Sequence, residues 1–184
     1  MPKMSAEDYI RHHWLRRSVW EHLTRRKHVR RLRACAQRME GSTFADVGCA
    51  FGHSTDMMAR WAPGDWTGID FSPTAVQRAR ETFGIKHKFA LCGSLAELAS
   101  AGPFDGVICS EVIEHVDDPQ TLVESLKAIT CRVLVVTTPA GVVGDPGHVR
   151  VYTLESFSAE IAGAEVVQSC PFLYATWRRD SLTQ

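Results

Sequence analysis

The chain has 184 residues, of which 45% are apolar, so it is long enough for one compact domain with a buried core. Its formal net charge is zero, and it contains no apolar run near the roughly 18 residues that a membrane-spanning helix needs. The six cysteines form no C-x-x-C pair, and we expect reduced core thiols. Because the first eleven residues also lack an apolar signal segment, we expect a cytoplasmic protein without a membrane span.

The charge is distributed unevenly. Residues 1–40 contain eleven Lys or Arg side chains and four Asp or Glu, a net charge of +7, whereas residues 41–184 have a net charge of −7. Apolar residues recur at helical spacing in the first segment, at Ile10, Trp14, Leu15, Val19 and Leu23 and again at Val29, Leu32, Ala36 and Met39. We therefore predict a basic N-terminal helical segment over 1–40 that belongs to the same domain as 41–184.

From Thr43 onward, short apolar runs alternate with helical patterns, which is typical of a parallel sheet with crossover helices. The predicted strands are 43–47, 66–70, 88–92, 106–109, 132–137, 165–168 and 172–177. The predicted helices are 54–61, 73–83, 95–99, 119–129 and 154–162. Only residues 169–171 connect the last two strands, so we expect them to form an antiparallel pair at the edge of the sheet.

The loop after the first strand, Asp46 to Gly52, contains Gly48 and Gly52, and the second strand ends about twenty residues later in Asp70. In open α/β sheets, ligands bind beyond the carboxyl ends of the strands, where glycine permits a close backbone approach and an acid can accept ribose hydroxyls. The glycines do not have the G-x-G-x-x-G spacing of dinucleotide-binding loops. The pattern predicts a nucleoside ligand.

Three ordered segments at these strand ends resemble the class I, Rossmann-like S-adenosylmethionine (SAM) dependent methyltransferases. FADVG at 44–48 matches the start of the family's D-x-G-x-G-x-G motif, GIDFS at 68–72 its second segment and FDGVICSE at 104–111 its fourth. The resemblance covers about 43–177. It implies an α/β fold, a Rossmann-like, doubly wound, mostly parallel seven-stranded sheet with an antiparallel C-terminal hairpin and extra N-terminal helices, and it implies SAM as cofactor.

The resemblance also implies roles for individual residues: Asp70 holds the ribose diol, Gly48 passes under the methionine portion and Phe71 flanks the adenine. Ala50 replaces the middle glycine, which a methyl group allows if φ there is negative. Ser94 stands where an Asp commonly reads the adenine amino group, which would weaken that bond or leave it to the backbone. The expected cofactor-binding residues are Asp46, Gly48, Ala50, Gly52, Asp70, Phe71, Ser94, Leu95, Ser110 and Glu111.

The segment after the fourth strand offers two interpretations. If it turns helically, Glu111, Glu114 and His115 project from one face and could bind Mg²⁺ or another divalent cation, with His148 as a fourth ligand. Alternatively, Glu111 contacts the cofactor and no metal binds. His115 or His148 could then act as the general base, because imidazole titrates near neutral pH, or either could be structural.

Two subfamilies share the E-x-x-E-H motif: the quinone-biosynthesis O-methyltransferases with their small-molecule relatives, and the small-RNA 3′-terminal 2′-O-methyltransferases, in which the motif and a later His bind metal. Residues 147–157 look like the strand-to-helix entry of the small-molecule group and lack the second His of the RNA group. We therefore expect methyl transfer to an oxygen or nitrogen of a small molecule. A metal-dependent RNA methyltransferase and a non-catalytic SAM-binding scaffold are the alternatives, and the sequence contains no signal for the oligomeric state.

The basic segment allows three interpretations. Its charged residues could attract nucleic-acid phosphates. They could instead be the solvated face of a helix whose apolar face packs on the domain or covers the cofactor. Since the segment before the first motif often belongs to the substrate lid in the resembled family, recognition of an anionic substrate is the third. The residues concerned are Arg25, Arg26, Lys27, Arg30, Arg31 and Arg33.

Overall fold

The structure, a computed structural model, describes residues 25–141 and 147–179. The strands are β1 (Thr43–Val47), β2 (Asp65–Asp70), β3 (Lys88–Leu91), β4 (Phe104–Ser110), β5 (Thr130–Pro139), β6 (Glu165–Ser169) and β7 (Phe172–Arg178). The helices are α1 (Arg26–Ala36), α2 (His53–Ala59), α3 (Pro73–Phe83), α4 (Leu95–Leu98), α5 (Pro119–Ile129) and α6 (Leu154–Glu160), and a 3₁₀ turn spans Ile113–His115.

The seven strands form one sheet in the order β3-β2-β1-β4-β5-β7-β6. The pairs among β1 to β5 are parallel, whereas β7 pairs antiparallel with both β5 and β6. This confirms the predicted fold class. The winding direction reverses between β1 and β4, so the carboxyl ends of β1, β2 and β4 meet at the switch point where such sheets bind ligands.

The helices begin where the sequence provides capping residues. The side chains of Ser72, Asp118 and Thr153 each accept a hydrogen bond from the backbone N–H three residues later. The distances are 3.2, 3.0 and 3.2 Å. Proline follows two of these caps at the first helical position, where its missing N–H costs nothing. These caps fix the starts of α3, α5 and α6.

Strands β4 and β5 are longer than predicted, because backbone pairing continues past their apolar centres to the pair Phe104 and Thr130. Alternate residues of these strands enter opposite cores, so that Val107 faces one core and Ile108 the other. One core contains helix residues of α5 and α6: Leu122, Leu126, Ile129 and Phe157. The other contains residues of α1, α2 and β2: Leu32, Cys35, Met58 and Trp66.

Helix α1 packs Leu32 and Cys35 against the sheet and leaves most of its basic side chains exposed. This agrees with the interpretation of a solvated face opposite an apolar stripe, with the exception of Arg31, which is 6% exposed. The helix predicted over Ile10 to Leu23 lies outside the described residues. The division into segments 1–40 and 41–184 stays a prediction.

Two of the six cysteines, Cys131 and Cys170, are exposed, so the prediction of core thiols was wrong for them. Over residues 25–141 and 147–179, none of the helices combines the length and the apolar character that crossing a bilayer requires.

Candidate cofactor-binding and active site

The loop between β1 and α2 curls tightly over the end of its strand. Gly48, Ala50 and Gly52 all have positive φ, of 81°, 46° and 79°. The backbone N–H of Gly48 donates to the Ile69 carbonyl at 2.8 Å, which ties the loop to β2. A Cβ at Gly48 would lie 2.2 Å from Cγ2 of Val112, so only glycine fits this position. The loop therefore presents bare backbone at the switch point.

Ala50 does not meet the condition of a negative φ under which an alanine is easily accepted here. A left-handed alanine costs about 1–2 kcal/mol, because its Cβ crowds the following carbonyl oxygen. The backbone N–H of Ala50 donates to Oδ2 of Asp70 at 2.8 Å, and the residue is only 7% exposed. The hydrogen bond and the tight packing hold the strained conformation.

Asp70, at the end of β2, accepts backbone hydrogen bonds with both carboxylate oxygens. Oδ2 accepts from Ala50 and Oδ1 accepts from Ser72 at 2.9 Å, and Asp70 is 8% exposed. Asp70 thus shapes the loop and places its carboxylate at the edge of the sheet.

Asp46, in β1, is 2% exposed and points to the start of α2. Its Oδ2 accepts from the hydroxyls of Ser54 at 2.9 Å and Thr55 at 2.7 Å. Burial raises the pKa of Asp46 to about 6, and the charge of Asp70 adds to the rise, while the two hydroxyls oppose it. Asp46 anchors the far end of the loop to helix α2.

The predicted adenine-side residues lie on two neighbouring loops. Phe71 and Leu95 are half-buried and pack against the core, whereas Ser94 is exposed. The hydroxyl of Ser94 caps α4 by accepting from the backbone of Glu97 at 3.2 Å. In turn, the Glu97 carboxylate accepts from the backbone of Gly93 at 2.8 Å. Ser94 therefore acts first as a helix cap.

The end of β4 contains a linked set of polar side chains. Ser110 and Thr137 share a hydroxyl hydrogen bond of 2.7 Å, and the Thr137 hydroxyl donates to Oε1 of Glu111 at 3.1 Å. Glu111 is left-handed, with φ of 60°, and its Oε2 lies 2.9 Å from Nη1 of Arg31. Burial raises the pKa of the Glu111 carboxyl, and the Arg31 guanidinium opposes that rise.

Arg31 was predicted only as one of six charged residues of the basic segment and not as a cofactor-site residue. A signal was present: Arg31 precedes the apolar Leu32 and lies four residues before Cys35, so it falls on the inward face of α1. The other arginines of the helix lack this position.

The helical turn over Glu111 to His115, on which the three-ligand interpretation depends, does not form. Because Glu111 is left-handed and the 3₁₀ turn begins only at Ile113, the carboxylate of Glu111 points to Arg31 instead. The described residues that bring potential metal ligands together are Glu114, His115 and His148, whose ligand atoms lie within 4.8 Å of one another. The structure thus groups Glu114 and His115 with His148, and Glu111 of the predicted set does not belong to this group.

Glu114 lies at the centre of this group. It is 1% exposed; its Oε2 accepts from the Thr138 hydroxyl at 3.2 Å, and its Oε1 lies 4.0 Å from Nε2 of His148. Oε1 has no hydrogen-bond partner within the described ranges. Burial raises the pKa of Glu114 well above its ordinary value, and repulsion from Glu111 adds to this.

A backbone contact orients His115, whose ring lies against that of His148. Nδ1 of His115 lies 2.9 Å from the carbonyl oxygen of Gly147, and the rings of His115 and His148 meet edge to face at 4.7 Å. The backbone of Val149 donates to the Glu114 carbonyl at 2.9 Å. With Nδ1 of His115 held by the carbonyl, its Nε2 is the atom that can meet a ligand.

A doubly wound sheet with a glycine-bearing loop after β1 and an acid at the end of β2 defines a nucleoside-binding protein of the Rossmann-like class. A family model described as "Methyltransferase domain" matches residues 44–134, which span β1 to β5. From β1 into β5, the chain is therefore similar to a methyltransferase domain.

The chain is also similar to individual proteins. The chain is 35% identical over 99 residues to a ubiquinone biosynthesis O-methyltransferase of Bordetella avium, covering 51% of this chain and 40% of that protein. It thus spans less than half the length of this relative. The magnesium protoporphyrin IX methyltransferase of Synechocystis PCC 6803, solved with bound S-adenosylhomocysteine (SAH), has a TM-score of 0.63 at 20% identity, over 88% of this chain and 84% of that one. A [4+2]-cyclase also has a TM-score of 0.63, at 21% identity, over 77% and 59%.

The strain at Ala50 predicts the effect of replacing it. Ala50→Gly removes about 1–2 kcal/mol of left-handed strain and adds about 0.5–1 kcal/mol of unfolded-chain entropy, so we expect a net stabilisation of about 0.5–1 kcal/mol. Denaturant unfolding measures the change. As a control, Ala45→Gly inside β1 should destabilise the protein. If Ala50→Gly also destabilises it, Ala50 is not strained.

The pKa of Asp46 predicts a pH dependence of stability. The folded carboxyl keeps its proton up to about pH 6, compared with an ordinary value of 3.8, so the unfolded chain deprotonates first as the pH rises. The stability of the wild type relative to Asp46→Asn should therefore fall between about pH 4 and 6, by at most about 3 kcal/mol. Denaturant unfolding of both proteins from pH 4 to 8 tests this, and a constant difference would contradict it.

Proposed function

We propose that this protein is a SAM-dependent methyltransferase that transfers a methyl group to an oxygen of a small molecule. The observation that supports it most is Asp70, a nearly buried carboxylate at the end of β2 beside the left-handed loop of Gly48 and Ala50. This arrangement fits a ribose diol and a nucleoside lying across the ends of β1 and β2. The same-fold cyclase shows that the fold alone does not decide the chemistry, so the site has to support the proposal.

The cofactor supplies an activated methyl group on a sulfonium, so the protein mainly has to orient the acceptor in line with it. Asp70 binds the ribose, and Phe71 and Leu95 line the adenine side. The ends of β1 and β4, with Gly48, Ser110 and Glu111, border the amino-acid end. Asp46 and Gly52 support the loop from below.

The acceptor lies beyond β4, next to His115 and His148. Three exposed aliphatic side chains, Val149, Val151 and Leu154, follow His148 along the chain. Exposed aliphatic side chains suit an acceptor with an apolar part better than they suit a phosphate backbone. The O-methyltransferase relative favours oxygen over nitrogen as the acceptor atom.

The group of Glu114, His115 and His148 supports a second element of the proposal, a divalent cation. One carboxylate and two imidazoles are a ligand set that suits Mn²⁺ and similar cations. Oε1 of Glu114, buried without a hydrogen bond from the described chain, fits an atom that faces a cation. These residues would hold the cation beside the acceptor; without one, His115 or His148 remains the candidate base.

Replacing Asp70 tests the cofactor site. Asp70→Asn removes the charge and one acceptor oxygen while it keeps the shape, so we expect SAH to bind about 10- to 100-fold more weakly by isothermal titration calorimetry. Asp65→Asn, at the exposed opposite end of β2, is the matched control and should bind SAH as the wild type does. Equal affinity in all three proteins would remove Asp70 from the site, and no SAH binding by the wild type would reject the proposed function.

The cation is tested by titrating chelator-treated protein with Mn²⁺. We expect binding by the wild type, and loss of binding in Glu114→Gln and His148→Asn because each removes a ligand. Glu124→Gln, on the exposed face of α5, is the control and should bind Mn²⁺ normally. Full methyl transfer in the presence of chelator, without Mn²⁺ binding, would contradict the cation and leave the histidines as candidate bases.

A further inference from the structure

The segment of residues 147–152, which contains His148, has an alternating pattern of burial. His148 and Arg150 are half-buried and Tyr152 is 3% exposed, whereas the two valines between them are 47% and 50% exposed. Such alternation is typical of an extended segment that has one face on the protein. The side chains of His148, Arg150 and Tyr152 therefore share the inward face of this segment.

Backbone hydrogen bonds hold the segment at two points. The backbone N–H of Gly141 donates to the Tyr152 carbonyl at 3.1 Å, and the backbone N–H of Val149 donates to the Glu114 carbonyl at 2.9 Å. Between these points and the start of the segment, Nε2 of His148 lies 4.0 Å from Oε1 of Glu114. The distance between the imidazole and the carboxylate therefore depends on how closely the segment is held against the turn that carries Glu114.

Arg150 is the side chain that connects this segment to the neighbouring helices. Its Nη2 donates to the Asp117 carbonyl at 2.7 Å, and its Nη1 lies 3.9 Å from Oε2 of Glu160 in α6. Oε1 of Glu160 accepts from the side chain of Gln120 in α5 at 2.6 Å, so the carboxylate is fixed from a second helix. A guanidinium reaches two such partners with a rigid fork of donors, which an ammonium group does not have.

The contacts of Arg150 are poorly suited to a role in global stability. Its side chain is 31% exposed, and an ion pair that is partly exposed and 3.9 Å long contributes little. Its Nε is buried without a hydrogen-bond partner in the ranges that the structure describes, which offsets part of the gain from the bond to Asp117. We therefore expect Arg150 to affect the position of the 147–152 segment more than the free energy of unfolding.

We propose that Arg150 is a positioning residue that holds His148 at its distance from Glu114, beside the acceptor. This rests on the proposed function and adds to it a residue outside the group of Glu114, His115 and His148. The Asp117 carbonyl lies two residues after His115, so the bond from Arg150 ties the segment to the same stretch of chain that carries the group. Without this bond, the segment depends on single backbone hydrogen bonds, which open more often.

Hydrogen exchange tests the position of the segment without any ligand. In Arg150→Gln, the Val149 amide should exchange about 10- to 100-fold faster, because its bond to the Glu114 carbonyl opens more often. The Gly48 amide in the cofactor loop should change by less than about twofold. Arg178→Gln, which removes an exposed ion pair at the end of β7, is the matched control and should leave both amides unchanged.

Two further measurements separate positioning from a general loss of structure. The rings of His115 and His148, 4.7 Å apart, should give a nuclear Overhauser effect in the wild type that is lost in Arg150→Gln. Arg150→Gln should bind Mn²⁺ about 10-fold more weakly but SAH within about twofold of the wild type, because SAH binds at the ends of β1 and β2. Arg150→Lys keeps the charge without the fork and should recover part of both losses.

Other outcomes overturn the proposal. An unchanged Val149 exchange rate in Arg150→Gln would show that Arg150 does not hold the segment, and equal acceleration at Val149 and Gly48 would assign it a role in global stability. If Arg150→Gln does not fold, Glu160→Gln decides: Val149 should exchange about two- to fivefold faster, and an unchanged rate overturns the proposal. A wild type that binds SAH but no Mn²⁺ rejects the cation, and the exchange and ring contact then decide. A wild type that does not bind SAH rejects the proposed function itself.

Discussion

The carboxylate of Asp70 determines where the cofactor loop lies, because its two oxygens accept from the backbone of Ala50 and of Ser72. The first bond fixes the loop after β1, and the second fixes the start of α3. The side chain of Asp70 therefore sets the distance between the loop after β1 and the start of α3. The rest of the site is built on this spacing, which the parallel register of β1 with β2 makes possible.

Backbone strain is concentrated at the same edge of the sheet. Among the described residues, the two non-glycine positions with positive φ are Ala50, after β1, and Glu111, after β4. Each is held by a hydrogen bond from its backbone N–H, to Asp70 and to the Thr137 carbonyl respectively. Strain of this kind persists only where the surroundings enforce it, and it is common at ligand-binding sites. Both residues therefore support placing the site at the switch point.

Burial organises the charges around the site. Asp46, Glu111 and Glu114 are all removed from water, which raises the pKa of each carboxyl, and Arg31 is the buried cation that opposes the rise at Glu111. Such a group of buried acids is costly without ligands or counter-charges. A cationic sulfonium and a divalent ion would both lower that cost, which is why the proposed cofactor and the proposed cation suit the same edge of the sheet.

The sequence by itself determined the succession of strands and helices along the chain and the position of Asp70 at the end of β2, because hydrophobic periodicity and strand ends are local properties. It left open the φ of Ala50 and the turn after Glu111. Only the tertiary structure decided that Ala50, bonded to Asp70, is left-handed and that Glu111 turns to Arg31, away from the group of Glu114 and His148. These depend on contacts between residues 20 to 80 positions apart along the chain, and no local pattern contains them.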